Sequence, residues 1–191
     1  MSSTSRITPI HGGAVAAILK LLDSQKLMTL AVNRADGRPQ AATLGYLNDG
    51  LNLYFVTARD SEKLKNMTAD PRVGVAVRGV GEEGEAVGVS IDGRAEEVTD
   101  GDEVKRLNDL IIARSPDLSP WAPGGDAVAV VKVIPEEIEA VAVVEGRSRA
   151  QTFSIGDSDA LVKGLSYEPS AVARLFCGKS ATSRVCGADG P

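Results

Sequence analysis

Short runs in which every second residue is apolar recur along most of the chain, each ended by a turn-forming sequence or a change of period. Val73, Val75 and Val77 alternate with Gly74 and Ala76, while Leu51, Leu53, Phe55 and Thr57 share one parity. Strand side chains point alternately to two faces, so this period marks strands with one face buried. It predicts strands over 27–33, 38–46, 51–57, 72–78, 86–98, 126–134 and 138–144. Ala35-Asp36-Gly37 and Asn48-Asp49-Gly50 supply hairpin turns that lay the first three side by side. Asp92-Gly93 is expected to break or bulge the fifth strand, residues 79–85 form a Gly-rich acidic loop, and Pro135-Glu136-Glu137 separates the last two.

Between these runs the period becomes helical. Ala14, Ile18, Leu21 and Leu22 place an amphipathic helix over 13–24. A helix of about two turns opens near Asp60, buries Leu64 and Met67, and stops at Asp70-Pro71. Val104, Leu107, Leu110 and Ile111 place a third over 100–114. Six to seven strands with few helices predict a mostly β, α+β fold: an antiparallel barrel, closed or nearly so, with peripheral helices, because closure removes exposed edges. The 191 residues suit one domain, given roughly 100–200 residues per domain. That domain is assigned to 1–145. Past Glu145 the strand signal ends, and 146–191 reads as a C-terminal extension of unassigned role, with a short helix over 169–176.

Charge and rare residues exclude several functions. The net charge is −5 and the basic residues form no stripe, so the attraction behind non-specific nucleic-acid binding is missing. No stretch approaches the ~20 apolar residues of a membrane helix, and no charged start precedes a long apolar run, so a cytoplasmic protein is expected. Cys177 and Cys186 form no C-x-x-C pair and read as reduced thiols. His11 lacks the companions that a catalytic triad or a metal site requires.

Chemistry concentrates in residues 54–66, where a strand ends, a short turn follows and a helix begins. A helix start leaves backbone N–H groups unpaired and attracts anions. Ser61 adds a hydroxyl, and Lys63 adds a charge whose stem can lean toward the N-terminus. The helix end contributes about 0.3–1 kcal/mol and a charge-assisted hydrogen bond roughly 1.5–3 kcal/mol, so Lys63 dominates any phosphate grip. The same residues also fit a surface helix capped by Asp60, with Ser61, Lys63 and Lys65 in solvent.

Gly37-Arg38-Pro39, Leu53-Tyr54-Phe55-Val56-Thr57, Ser61-x-Lys63, Asn66-Met67 and Asp70-Pro71-Arg72-Val73 follow one another in the order and spacing of a known family. Over roughly 22–98, and again at Val131-x-Val133-Ile134-Pro135, the chain resembles the pyridoxamine 5'-phosphate oxidase-like flavin-binding split barrels. The resemblance implies a split barrel, a homodimer, and FMN at the subunit interface. By it, Thr57 meets the flavin ring or ribityl chain, Val56 offers backbone to the ring, and Ser61 and Lys63 hold phosphate, with Lys65 nearby. Gln40, Ala41, Ala42 and Thr43 lie along the cofactor, where the small Ala41/Thr43/Gly45 face leaves room for a flat ring. Trp121 is a candidate to stack on the cofactor from the partner subunit, and Arg59 and Arg94 are further candidates to approach it.

The departures are specific. Oxidases of this family carry an Arg on the second strand and another between the Ser and Lys, where this chain has Ala41-Ala42-Thr43 and Glu62. Their late Arg and His pair has no counterpart, since no His follows His11. The resemblance therefore implies a flavin-dependent oxidoreductase acting on another small molecule, with no catalytic side chain assigned. The alternative is a flavin- or deazaflavin-binding stress-response module without rapid turnover. A deazaflavin tail could use Lys63 and Lys65, whereas haem would call for His, of which there is one.

Overall fold

A computed structural model describes residues 7–81, 86–114, 127–144 and 147–156. The elements are β1 (Thr8–Pro9), α1 (Gly12–Ser24), β2 (Leu27–Asn33), β3 (Pro39–Gly45), β4 (Leu47–Asp49), β5 (Asn52–Ala58), α2 (Glu62–Ala69), β6 (Arg72–Val80), β7 (Ala86–Glu97), α3 (Gly101–Arg114), β8 (Val128–Val144) and β9 (Arg147–Ser154). The fold is mostly β, as the alternation predicts. In β6, Val73, Val75 and Val77 are buried, while Ala76 and Arg78 face out.

The strands form one sheet in the order β1-β9-β8-β7-β6-β2-β3, and β5 joins it by pairing with β8 and β4. All ladders are antiparallel except the two-residue β1–β9 pair. Backbone, rather than a ladder, connects β3 to β4 through Tyr46, so the barrel is split there. Tyr46 holds the joint: its N–H donates to the Lys26 carbonyl at 3.3 Å and its hydroxyl to the Leu22 carbonyl at 2.8 Å. Burial, with the nearby Asp23 charge, raises the Tyr46 pKa and keeps the phenol protonated.

Aliphatic side chains from α1 and the inner strand faces fill the barrel, among them Ile18, Leu22, Leu30, Leu53, Ile91 and Ile138, with Phe55 and Phe153. α3 packs on the outside of β5 and β8, where Tyr54 and Val130 join Val104, Leu107 and Ile111 in a second cluster. Polar contacts close over it. Tyr54 donates to Glu103 at 3.1 Å, Lys132 lies 3.8 Å from Glu103, and Arg106 pairs with Asp49. Burial, then the Glu103 charge, raises the Tyr54 pKa.

Four sequence expectations need correction. First, the Asn48-Asp49-Gly50 turn forms, with Gly50 at φ 59°, but β5 does not lie beside β3; it pairs with β4 and β8. Second, Pro135-Glu136-Glu137 is no connection: β8 runs unbroken from Val128 to Val144. The expected irregularity at Asp92/Gly93 is present, and Pro135 faces Gly93 where the register shifts. A bulge tolerates a residue without an N–H. Gly93 is required there, since a Cβ would lie 2.3 Å from the Ile134 oxygen. Third, strand structure continues beyond Glu145 as β9, exposed at Arg147–Gln151 and buried at Phe153. Fourth, among the described residues the strands number nine, the short β1 and β4 included, rather than six or seven. Trp121, Cys177, Cys186 and the helix expected over 169–176 lie outside the described residues. Among the described residues no helix is long and apolar enough to cross a membrane.

Candidate cofactor site

β5 ends at Ala58, and α2 starts four residues later. Ser61, not Asp60, caps α2: its backbone is extended, and its Oγ accepts the Leu64 N–H at 3.2 Å. Thr57 Oγ1, 8% exposed at the end of β5, lies 3.1 Å from Ser61 Oγ. The pair shares one hydrogen, so whichever hydroxyl donates, one hydroxyl hydrogen of the two is left over. The Lys65 N–H reaches the Ser61 carbonyl, while the N–H groups of Glu62 and Lys63 have no acceptor among the described residues. The helix start therefore combines two free amides, one available hydroxyl and the half-buried Lys63, which has no ion pair among the described residues.

Glu62 does not oppose this arrangement. Its carboxylate turns along the helix to Lys65 at 3.0 Å, so these two charges offset one another in solvent. Arg59 is occupied as well, donating to Glu97 at 2.7 Å and to the Val128 carbonyl at 3.2 Å. Arg94 is exposed on β7 opposite Arg72.

β3 approaches α2 from the side, where Gln40 Oε1 accepts from Asn66 Nδ2 at 3.3 Å. Gln40, Asn66 and Glu62, with Arg34 and Asp36, line an open concavity of about 330 Å³. Beyond Gln40, Ala41 and Thr43 face outward and Ala42 is half-buried. Val56 is half-buried in the ladder opposite Val130. The structure thus gathers Gln40, Thr57, Ser61 and Lys63 around α2 and sets Lys65 on its outer face.

The small-residue face is wider than β3. Thr43 pairs with Thr29, Thr29 with Ala76, Ala76 with Ser90, and Arg78 with Gly88. Together they floor a shallow concavity of about 440 Å³ edged by Leu27, Val141 and Val143. Leu27 is 61% exposed there.

At its other end α2 is fixed by charge. Asp70 accepts from Asn33 Nδ2 at 2.9 Å and from Arg72 Nε and Nη2 at 2.9 and 2.7 Å. These bonds, Arg72 first, hold the Asp70 carboxyl well below the usual range. The Asp70-Pro71-Arg72 motif is thereby explained as a clamp between α2, β2 and β6.

The family model for pyridoxamine 5'-phosphate oxidase matches residues 14–142, which contain the whole strand-turn-helix segment and the sheet around it. The chain belongs to the pyridoxamine 5'-phosphate oxidase family. Among solved members of the fold is a Listeria innocua protein provisionally named as such an oxidase, 27% identical, with a TM-score of 0.51, covering 63% of this chain and 92% of that one. An FAD-binding protein from Mesorhizobium loti is 26% identical, with a TM-score of 0.53, over 66% of this chain and 92% of its own. A heme-binding protein from Mycobacterium smegmatis shares the fold at 20% identity, with a TM-score of 0.60, over 81% of this chain and 61% of its own. No curated protein matches in sequence.

Against this family background, what sequence reasoning missed is the breadth of the small-residue face. Thr29, Ala76, Gly88 and Ser90 belong to it with Thr43. The signal was present as Gly74 and Ala76 on one parity of β6, but only the pairing of β6 with β2 and β7 makes it one surface.

Proposed function

We propose that this member of the family binds FMN, with the phosphate on the first turn of α2 and the ring beside β3, and acts as a flavin-dependent oxidoreductase. The observation that carries the reading is the set of donors at α2: the Glu62 and Lys63 amides and the Lys63 ammonium, without partners among the described residues, beside the hydrogen-bonded Thr57–Ser61 hydroxyl pair. A doubly charged phosphate satisfies all of them, and a neutral ligand does not. The Glu62 carboxylate is paired with Lys65 at 3.0 Å.

Bound FMN supplies the hydride or electron chemistry. The protein's part is orientation: Lys63 and the amides fix the tail, and Ala41 and Thr43 leave the outer side of β3 low enough for a flat ring. In this reading two copies meet across the small-residue face, where burial of Leu27 and Val143 favours association, and the ring lies between them. The absence of Arg from the Ala41-Ala42-Thr43 stretch supports a substrate other than pyridoxamine phosphate. The reading keeps a cytoplasmic setting, where reduced nicotinamides could serve as donors.

The test is direct. Purified protein titrated with FMN should quench its fluorescence and gain a flavin spectrum, and NAD(P)H with an acceptor should turn it over. Protein that binds FMN but is not reduced would reassign it to a binding role. Protein that takes up no flavin would refute the reading. Dilution to monomer should release FMN together with dissociation.

A further inference from the structure

α2 is seated on the barrel by only two buried side chains, Leu64 and Met67, at 8% and 3% exposure. Two anchors one turn apart define a line, and a short helix can roll about that line unless other contacts resist. Polar contacts from four strands do so. Thr57 of β5 meets the N-cap at 3.1 Å, Asn33 of β2 and Arg72 of β6 hold the C-cap Asp70 at 2.9 and 2.7 Å, and Gln40 of β3 meets Asn66 at 3.3 Å between the two ends. The last is distinct because β3 is an edge strand, laddered to β2 alone. Asn66 also accepts the Asp70 N–H at its carbonyl, at 2.8 Å, so it ties the C-terminal turn of α2 to β3.

We propose that Gln40 and Asn66 form a strut: they are positioning residues that set the distance between the donors at Glu62 and Lys63 and the outer face of Ala41 and Thr43. This rests on the flavin reading above and changes one assignment within it, since Gln40 acts through Asn66 instead of touching the cofactor. Its side chain is turned to the helix, and either orientation of the two amides preserves one N–H···O bond between them. A phosphate on α2 and a ring beside β3 are parts of one rigid ligand, so the spacing of helix and strand governs whether both can be held together.

Four full-length variants test this: Gln40→Ala, Asn66→Ala, the double alanine, and the exchange Gln40→Asn with Asn66→Gln, which keeps the combined reach. In FMN titrations each single alanine should weaken binding about 3- to 10-fold, the range of one ordinary hydrogen bond. The double should be no weaker than the worse single, because the two residues act as one unit. The exchange should restore affinity to within about twofold, with all melting temperatures close to wild type. Additive losses overturn the strut, as does full affinity in Asn66→Ala beside a loss in Gln40→Ala, which would mean that Gln40 touches the cofactor itself. Amide exchange without FMN separates this from the flavin reading. Both singles should speed exchange over 62–66 and 39–43, and unchanged rates sink the strut whether or not FMN binds. Wild-type protein that takes up no FMN refutes the flavin reading, and the exchange rates then decide the strut alone.

Discussion

Two helices sit on this barrel on opposite terms. α3 buries Val104, Leu107 and Ile111 against Tyr54 and Val130, and its Glu103 and Arg106 are matched by Tyr54, Lys132 and Asp49. α2 buries two side chains and leaves Lys63 and two amides without partners among the described residues. One corner is closed by packing and ion pairs on both sides, and the other is clamped at its C-terminal end through Asp70 while donors at its start are left open. A helix that spends its polar groups on its own barrel has none to offer a ligand.

The contrast yields an ordered set of expectations. Leu107→Ala removes a fully buried side chain and should cost about 2–5 kcal/mol of stability in urea denaturation, leaving FMN affinity as it was. A comparable loss of FMN affinity would show that the two corners are coupled. Lys63→Ala should weaken FMN binding roughly 10- to 100-fold, about 1.5–3 kcal/mol, with little change in the melting temperature. Unaltered binding in a fluorescence titration would remove Lys63 from the site. Ser61→Ala deletes a cap and a donor together, so about 1 kcal/mol should be lost from stability as well as some affinity. A loss of affinity without any loss of stability would argue against the capping geometry.

The smallest effect is a pH dependence. The Asp70 pKa is lowered in the folded state, so its contribution is complete above the unfolded carboxylate pKa near 4 and fades as pH falls below it. Asp70→Asn should therefore flatten the stability profile below about pH 4 relative to wild type. Parallel profiles for the two proteins would mean that the clamp does not hold in solution.

Much of this was legible beforehand, for reasons that can be located. β2 falls on the residues expected, and the bulge lies at Asp92-Gly93, because clean alternation and an Asp-Gly step report backbone geometry locally. β9 was missed because Arg147–Gln151 is exposed on both faces of a strand near the sheet edge and carries no alternation. Pro135 was misread because its tolerance depends on a bulge opposite a residue some forty positions earlier, Gly93. Asp60 was expected to cap the helix, but Ser61 does so, because its Oγ lies on the Leu64 N–H beside Thr57, a placement that only the fold determines. The pairing of Gln40 with Asn66 spans separate elements and left no trace in either local pattern.

β8 has a consequence of its own. It ladders with β5, β7 and β9, all on one strand that comes late in the chain. During synthesis β5 must wait, its outer edge unsatisfied, until β8 emerges, and contacts so far apart in sequence slow folding. A ribosome stalled before residue 128 should therefore carry half a barrel with a sticky edge, and chaperone dependence should fall sharply once Val128–Val144 clears the exit tunnel.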